Sequence, residues 1–263
     1  MNRIPPTAEA ISAALGDSAL WTTFDVRAST GSTNADAAAA VRDGGTEGLV
    51  VTTHQQAGGR GRLDRSWESP EGAGIALSVV LRPDVDLARW VWLPLLVGVA
   101  VDDAVRDLGV ESSLKWPNDV MVDDRKLCGI LLERVEGPTG PHAVVGIGLN
   151  VSLTADELPV AHATSLALEG ADELDRSSLI GLVLRHLEHQ YAVWLAVEGD
   201  PAPFLRDDYL ERCGTVGREV RVTLPSEDDL VGVAETVDEH GRLVVAGRPV
   251  SAGDVTHVRP TTA

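Results

Sequence analysis

Only two lysines occur in the chain, and they lie close together. They are Lys115 and Lys126, and every other side chain among the 22 lysines and arginines is an arginine. An ammonium group is a compact point charge, whereas a guanidinium is a rigid planar fork, so the two are not interchangeable in a tight site. We therefore predict that both positions require an ammonium group. The alternative is chance, because two leftover surface lysines can fall close together, and on its own Lys126 is also typical of an exposed hairpin.

The residues that follow Lys115 can aim its side chain inward. The segment reads Lys115-Trp116-Pro117-Asn118-Asp119 at the end of a predicted strand. Proline ends a strand and fixes a turn, which would direct Lys115 and Asn118 toward the interior. A lysine held inside needs an anionic partner or a lowered pKa. The alternatives are a surface strand end for Lys115 and a turn-capping role for Asp119.

A loop rich in glycine and arginine precedes this segment. It reads Gly58-Gly59-Arg60-Gly61-Arg62-Leu63-Asp64-Arg65. Glycine lets a backbone approach a ligand closely, and arginine binds phosphate or carboxylate oxygens through its fork of donors. A solvated loop and a nucleic-acid-binding segment are the alternatives, and the acidic net charge disfavours the second. We predict a mobile lid over an anionic ligand.

Two glycines stand two residues apart inside a later predicted strand. They are Gly146 and Gly148, in a segment that continues to Asn150 and Val151. Glycine weakens a strand unless a ligand or another group must come close. A ring or a tail lying against the strand would explain the pair, and a bulge explains it equally well. The third glycine and following helix of a dinucleotide-binding fingerprint are absent from this segment.

The composition restricts the class of protein. The net charge is −18, whereas proteins that bind duplex DNA usually carry a basic face, so we predict no DNA partner. Cys128 and Cys213 are too few for a disulfide framework, and no run of apolar residues reaches membrane length. No Cys/His cluster has metal-ligand spacing. We expect a cytoplasmic protein without a membrane partner, and we assign no residue as a metal ligand.

Helical and strand patterns alternate along most of the chain. The predicted helices are residues 7–15, 35–42, 87–108, 179–197 and 204–212. Pro94 would bend the third of these helices near its start. The predicted strands of this part are residues 24–27, 49–53, 74–81, 113–116, 120–123, 127–135 and 143–151. Consecutive strands that can pair as hairpins favour an α+β fold with a mixed sheet.

Near Cys213 and Gly214 the pattern changes to short alternating strands with tight turns. These predicted strands are residues 219–224, 230–237, 242–245 and 255–258. Such a pattern is typical of a small all-β barrel. We therefore predict two domains, residues 1–213 and residues 214–263.

Together these segments resemble the biotin–protein ligase (biotin–[acetyl-CoA-carboxylase] ligase) family. The matching elements, in the order of the family, are Ser32-Thr33-Asn34, residues 56–62 with Trp67, residues 115–119, residues 125–131 and residues 146–150. The resemblance implies a catalytic domain with the class II aminoacyl-tRNA synthetase-like fold of biotin and lipoate ligases. It also implies a C-terminal SH3-like barrel.

The resemblance implies a ligase that works in two steps. Biotin and ATP would give biotinyl-5'-AMP and pyrophosphate, and biotin would then pass to one lysine of a biotin carboxyl carrier domain. The positions it implies for catalysis are Lys115, Arg60, Arg62 and Lys126. Those it implies for biotin and adenylate binding are Ser32, Thr33, Asn34, Gln56, Gly59, Arg60, Gly61, Arg62, Trp67, Lys115, Asn118, Gly129, Gly146, Gly148 and Asn150. Magnesium would be expected to accompany the triphosphate, and its protein ligands are not readable from the sequence.

The chain departs from the family in two places. Leu63-Asp64 replaces the further arginine and glycine that often follow in the loop, which puts the movement of the lid in question. Too few residues precede residue 24 for the helix-turn-helix of family members that repress transcription, so we expect the ligase-only class.

Three other functions compete with this interpretation. The nearest is a lipoate or octanoate ligase, against which the segment 115–119 argues. A peptide-binding adaptor would use the C-terminal barrel, which lacks Trp, Tyr and Phe for a proline-rich ligand. A biotin-responsive repressor is disfavoured by the charge and by the short N-terminal segment.

Overall fold

The computed structural model describes residues 3–62, 65–224, 228–251 and 253–257. The α-helices are α1 (Ala8–Leu15), α2 (Thr33–Arg42), α3 (Leu93–Arg106), α4 (Arg176–Ala196) and α5 (Leu205–Arg212). The strands are β1 (Thr23–Thr30), β2 (Leu49–Gln56), β3 (Gly59–Arg60), β4 (Ser66–Trp67), β5 (Gly74–Leu81), β6 (Ser113–Lys115), β7 (Asp119–Val122), β8 (Arg125–Gly137), β9 (Gly140–Asn150), β10 (Glu219–Thr223), β11 (Asp229–Val237), β12 (Leu243–Val245), β13 (Arg248–Val250) and β14 (Asp254–His257).

Seven strands form the central sheet, in the order β1-β2-β5-β9-β8-β7-β6. β1 and β2 are parallel, and the other neighbours are antiparallel. Successive hairpins join β6 to β7, β7 to β8 and β8 to β9, as the closely spaced strand patterns indicate. This mixed sheet with packed helices confirms the α+β prediction.

Helices cover the two faces of the central sheet unequally. On one face, α2 packs small side chains, Ala37, Ala38 and Val41, against β2, β5, β8 and β9. The hydroxyl of Ser32 caps this helix by accepting a hydrogen bond from the amide of Ala35. On the other face, α3 and α4 pack together over the large apolar core. The short α2 leaves part of its face of the sheet open, and the cleft lies there.

The C-terminal sheet consists of β10 to β14, in the order β13-β12-β11-β10-β14, and all its pairs are antiparallel. Two buried tryptophans join it to the rest of the chain. The indole N–H of Trp92 donates to the carbonyl of Glu239, and that of Trp116 donates to the carbonyl of Gly241, both at 3.0 Å. The amide of Trp116 also donates to the hydroxyl of Thr215. Burying both indoles with satisfied N–H groups firmly attaches the C-terminal sheet.

Several predicted elements differ from the structure. The predicted helix over residues 87–108 is a 3-10 turn, Leu87–Trp92, followed by α3, so the prediction that Pro94 bends a single helix was wrong. Pro94 lies in the first turn of α3, where a missing N–H costs nothing because that donor would have no partner. The strand β13 and the small hairpin of β3 and β4 were not predicted. Residues 63–64 of the glycine–arginine loop and residue 258 of the last predicted strand lie outside the described residues.

Candidate active site

A cleft opens on the face of the central sheet that α2 leaves uncovered. The residues that line it belong to α2, to β2, to the glycine–arginine loop, to strands β4 to β9 and to β14. Its floor contains a row of three residues paired across neighbouring strands, Ala76, Gly148 and Gly129. None of the three carries more than a methyl group, so the floor is flat.

The side chain of Trp67 lies on this floor. A Cβ atom at Gly148 would fall 2.5 Å from Cε2 of Trp67, and one at Gly129 would fall 3.1 Å from Cζ3. The pairing of β9 with β5 and with β8 continues through Gly146 and Gly148 without a shift in register. Of the two interpretations of the glycine pair, the structure therefore supports a ring against the strand over a bulge. That ring belongs to the chain itself.

A buried hydrogen-bond network forms one wall of the cleft. Oε1 of Gln56 accepts from the amide of Thr33 at 2.9 Å and lies 3.2 Å from its hydroxyl. The hydroxyl of Ser78 lies 2.7 Å from the Thr33 hydroxyl and 2.6 Å from Oδ1 of Asn34. These groups come from α2, β2 and β5, so three elements hold one polar surface in place. Such a surface suits a ligand that has both donors and acceptors.

The network continues from Asn34 to the glycine–arginine loop. The side-chain nitrogen Nδ2 of Asn34 donates to Oε2 of Glu133 at 2.8 Å, and Nη2 of Arg60 donates to the same oxygen at 2.9 Å. Asn34 can lie there because Gly146 has no side chain, since a Cβ atom would fall 2.3 Å from its Oδ1. Glu133 thus joins α2 to the loop.

Lys115 is a half-buried cation at the end of β6. Burial is the main cause that lowers its pKa from 10.5, and the nearby carboxylates of Asp119 and Asp254 oppose the shift. Within the described ranges, Lys115 makes no ion pair shorter than 4 Å. Its ammonium group is therefore available to an anion in the cleft, as the sequence-based interpretation requires.

Lys126, in contrast, has a partner within the protein. Its Nζ lies 2.6 Å from Oδ1 of Asp119, in a contact that has the distance of an ion pair without the alignment of a hydrogen bond. Nζ also lies 5.6 Å from the centre of the Trp67 ring, within the range of a cation–π contact. Lys126 thus faces the cleft, and the exposed-hairpin alternative does not describe its surroundings.

Asn118 connects Arg62 to strand β8. The side-chain amide of Asn118 donates to the carbonyl of Ile130 at 2.7 Å, and its backbone carbonyl accepts from the Ile130 amide. With both groups held, its Oδ1 accepts from Nη1 of Arg62 at 3.3 Å. Burial lowers the pKa of Arg62, and Asp119 and Asp254 oppose that shift. The loop thereby places a partly desolvated guanidinium in the cleft that Lys115 also lines.

The C-terminal sheet contributes to the cleft through β14. The carboxylate of Asp254 binds the guanidinium of Arg65 with both oxygens, at 3.2 Å to Nη1 and 2.5 Å to Nη2. Hydrogen bonding to Arg65 is the main cause that lowers the pKa of Asp254. Among the described residues, the cations that line the cleft are Arg60, Arg62, Arg65, Lys115 and Lys126, and the anions that line it are Asp119 and Asp254. A site of net positive charge in a chain of net charge −18 indicates an anionic ligand.

Two of the predicted site residues do not line the cleft. Asn150 is buried, and its side-chain amide donates to the carbonyl of Thr164, so it supports the loop after β9. Gly59 shapes the loop, because a Cβ atom there would fall 2.3 Å from the carbonyl oxygen of Trp67. The predicted residues that line the cleft are Ser32, Thr33, Asn34, Gln56, Arg60, Gly61, Arg62, Trp67, Lys115, Asn118, Lys126, Gly129, Gly146 and Gly148.

The sequence-based site lacks several residues that the structure brings to it, among them Asp119, Arg65, Ser78, Glu133 and Asp254. Arg65 stands in the glycine–arginine loop, and its position there was an available signal. Ser78 and Glu133 belong to strands whose burial patterns do not single them out. Asp254 reaches the site only through the packing of the C-terminal sheet, for which no local sequence signal exists.

Over residues 3–62, 65–224, 228–251 and 253–257, no group of three His, Cys, Asp or Glu side chains is placed to hold a metal ion. Within the same ranges, no helix combines the length and the apolar character that crossing a bilayer requires.

Comparisons with known proteins agree with this geometry. Residues 32–150 match the biotin/lipoate A/B protein ligase family, and residues 215–258 match the biotin protein ligase C-terminal domain. The biotin–[acetyl-CoA-carboxylase] ligase of Mycobacterium tuberculosis is 42% identical over 255 residues, which are 93% of this chain and 92% of that protein. The bifunctional ligase/repressor BirA of Bacillus spizizenii is 34% identical over 76% of this chain and 62% of its own length.

The fold also has close counterparts among solved structures. The biotin protein ligase from Aquifex aeolicus, solved in complex with biotin and ATP, superimposes with a TM-score of 0.74. At 24% identity, the match covers 90% of this chain and 99% of that one. This likeness confirms the predicted ligase-like α+β fold, and the C-terminal match confirms the predicted SH3-like unit. By these relationships the chain belongs to the biotin protein ligase family.

Proposed function

We propose that the chain activates biotin with ATP to biotinyl-5'-AMP and transfers the biotinyl group to one lysine of a biotin carboxyl carrier domain. The observation that carries this proposal is the pairing of two unlike surfaces in one cleft. A buried polar network around Thr33 and Gln56 forms one wall, and the ammonium of Lys115, which has no ion-pair partner among the described residues, lies in the same cleft. The first surface suits the ureido ring of biotin, and the ammonium suits its carboxylate together with a phosphate.

In the first step, two anions must meet. A carboxylate oxygen of biotin attacks the α-phosphorus of ATP, the bond from that phosphorus to the bridging oxygen breaks, and pyrophosphate leaves with the electron pair. Both reactants are negative, so fixed positive charge at the meeting point stabilises the transition state. We assign this role to Lys115 and Arg62. Neither guanidinium nor ammonium needs to move a proton in this step.

In the second step, an amine replaces the phosphate. The amino nitrogen of the carrier lysine attacks the carbonyl carbon of the mixed anhydride, the bond from that carbon to the phosphate oxygen breaks, and AMP leaves. The nitrogen then loses a proton to solvent. Until the carrier arrives, water must be kept away. We assign this shielding to the loop of residues 58–62 and to Trp67, and we place Lys126 where it can hold the phosphate.

The polar wall favours biotin over lipoate. The ring of lipoate is a dithiolane that offers no N–H or C=O group, and octanoate has no ring at all. Either acid would cover this polar wall with groups that neither donate to it nor accept from it, so the hydrogen-bonding capacity that Thr33, Asn34 and Gln56 keep beyond their own network would go unused. The ureido group of biotin can satisfy them as donor and acceptor.

Magnesium is proposed as a companion of the nucleotide. Mg²⁺ prefers oxygen ligands and usually keeps several waters while it binds one or two carboxylates and the phosphates. The carboxylates that line the cleft, Asp119 and Asp254, are already engaged with Lys126 and Arg65. The ion would therefore be held mainly by phosphate and water, and it would neutralise charge on the leaving pyrophosphate.

Three further assignments complete the proposal. The domain boundary lies between residues 213 and 214, which is supported by the C-terminal family match that starts at residue 215. The carrier belongs to acetyl-CoA carboxylase or a related acyl-CoA carboxylase. The reaction takes place in the cytoplasm, where ATP and the carrier are made.

The deciding experiment measures transfer directly. The protein is incubated with ATP, magnesium and a purified carrier domain, together with biotin, lipoate or octanoate. The mass of the carrier is then measured by mass spectrometry. We expect one added biotinyl group and no lipoyl or octanoyl group. Controls omit ATP or replace the acceptor lysine of the carrier. Unmodified carrier in the complete biotin mixture would falsify the proposal, and preferred lipoate or octanoate would reassign the substrate.

A further inference from the structure

Asp254 places a negative charge in a site built for anionic ligands. It lies at the start of β14 in the C-terminal sheet, and its neighbours Gly253 and Val255 line the same cleft. The cations around it come from the rest of the chain, Arg65 and Arg62 from the glycine–arginine loop and Lys115 from β6. Anionic ligands explain the net positive charge of the cleft, but they do not explain this carboxylate.

The contact between Asp254 and Arg65 occupies the whole fork of the guanidinium. Both carboxylate oxygens are engaged, one with Nη1 and one with Nη2. This parallel, two-bond geometry is the same one by which arginine binds a phosphate group. An arginine held in this way cannot offer the same pair of donors to a ligand at the same time.

The charge of Asp254 also acts on the two cations assigned to the reaction. It opposes the lowering of the pKa of Lys115 and of Arg62, and these groups in turn lower the pKa of Asp254. Asp254 is thus an ionised carboxylate that partly neutralises three cations when no ligand is bound. A polyphosphate entering the cleft would bring negative charge to the same three groups.

We propose that Asp254 is a built-in counter-ion that the phosphates of the nucleotide must displace from Arg65. The C-terminal sheet thereby sets the nucleotide affinity of a cleft that belongs mostly to the central sheet. The cations are kept partly neutralised and in place before ATP arrives, at the cost of weaker ATP binding. This inference rests on the proposed use of ATP.

A direct role of Asp254 in ligand binding predicts the opposite change in ATP affinity when Asp254 is removed. If Asp254 accepted a hydrogen bond from a ribose hydroxyl, or bound the magnesium ion of the nucleotide, its removal would weaken ATP binding. If it is a competing counter-ion, its removal strengthens ATP binding. The sign of one measured change therefore separates the two roles.

The test is the dissociation constant of magnesium–ATP without biotin, measured by calorimetry on the full chain. For Asp254→Asn we expect magnesium–ATP to bind about fivefold more tightly at low salt. This is the factor in affinity that the repulsion between two unit charges about 4 Å apart gives in water. The gain should shrink as salt is added, because screening weakens exposed charge interactions. The matched control is Asp229→Asn, which removes a carboxylate that binds Arg221 in the same sheet, outside the cleft. Its affinity for ATP should equal that of the wild type.

A double-mutant cycle tests whether the effect passes through Arg65. The gain from Asp254→Asn should be clearly smaller in an Arg65→Gln background, because the neutral side chain has no fork to release. Thermal unfolding confirms that each variant is folded, and Asp254→Ser replaces Asp254→Asn if the latter is not. Unchanged or weaker ATP binding by the folded variant, or an undiminished gain in the Arg65→Gln background, overturns the proposal. If the wild type binds magnesium–ATP only with biotin present, the same constants are measured with biotin and a non-hydrolysable ATP analogue, and a wild type that binds neither nucleotide under either condition would instead reject the proposed function.

Discussion

Replacing Lys115 by arginine should nearly abolish adenylate formation, although the charge is conserved. The ammonium of Lys115 is half-buried and makes no ion pair shorter than 4 Å within the described ranges. Asp119 and Asp254 are the carboxylates whose charges act on it. A guanidinium is longer and wider and gains most from binding a carboxylate with two bonds. We therefore expect an arginine at this position to turn toward Asp119 or Asp254 and away from the reacting anions.

The size of the effect follows from what is lost. Removing one preorganised charge contact at a transition state typically lowers the rate about 10²–10³-fold, or about 2.7–4 kcal/mol. The strand end and the partial burial predict a smaller change in stability, within the usual range of about 0.5–3 kcal/mol for single substitutions. Since domains are stable by about 5–15 kcal/mol, the variant should remain folded. The loss of rate is then chemical in origin.

Pyrophosphate release in a single turnover, without carrier, measures this step directly. The control is Arg218→Lys, the reverse exchange at an exposed ion pair with Asp124. We expect this control to keep the wild-type rate and Lys115→Arg to lose it, with both proteins unfolding at similar urea concentrations. Near-normal pyrophosphate release by Lys115→Arg would mean that the position needs only a positive charge, and the reasoning from lysine retention would be wrong.

The alkaline side of the pH profile gives an independent check. Burial lowers the pKa of Lys115 below 10.5, so its ammonium deprotonates earlier than an exposed lysine as the pH rises. The wild-type rate of adenylate formation should therefore fall at a pH below 10.5. The residual activity of Lys115→Arg should lack this decline, because a guanidinium stays protonated there. Identical profiles would show that another group controls the alkaline decline.

Three further outcomes are expected. Arg62→Ala should form the adenylate more slowly, because one of the two cations assigned to the first step is lost, and it should release the adenylate that does form, so that the ratio of bystander to carrier biotinylation rises. Ligand should no longer protect the loop that starts at Gly58 from protease, and an unchanged ratio would show that the loop does not retain the adenylate. Gly148→Ala places a methyl group 2.5 Å from Trp67. We therefore expect weaker biotin binding in titrations and a free energy of unfolding in urea that is lower by about 1–3 kcal/mol. Wild-type values of both would show that the ring of Trp67 can shift freely. No sequence-specific duplex DNA binding is expected, with or without biotin and ATP, given the net charge of −18, and a salt-resistant gel shift would contradict this.

Local sequence predicted the parts of the site that short segments build. The glycine pair of β9 predicted either a group lying close against the strand or a bulge, and the structure supplies the ring of Trp67 at Gly148 and the side chain of Asn34 at Gly146. The proline after Trp116 ends β6 and leaves Lys115 and Asn118 at the cleft, as the turn chemistry indicates. Each of these inferences depends on fewer than about ten consecutive residues, within which backbone preferences determine the outcome.

The remaining features depend on distant packing. Glu133 lies on β8 and meets Arg60 across 73 positions of the chain, and Asp254 meets Arg65 across 189. A single acidic residue in a strand carries no sign of its future partner, because many surface acids look the same in sequence. Pro94 is different, since the preference of proline for the first turn of a helix was available and would have placed the start of α3 correctly.

The position of Trp116 makes the two units of this ligase hard to exchange. Trp116 follows Lys115 in the chain, yet both of its N–H groups donate hydrogen bonds to the C-terminal unit. The indole N–H donates to the carbonyl of Gly241, and the backbone N–H donates to the hydroxyl of Thr215. A chimaera with the C-terminal unit of a relative would keep the active-site turn only if the new unit offered a carbonyl and a hydroxyl at these two places. Trimming the chain at the proposed boundary would leave two buried indoles without cover or acceptors. In protein engineering, the two units of this enzyme are therefore best transplanted together.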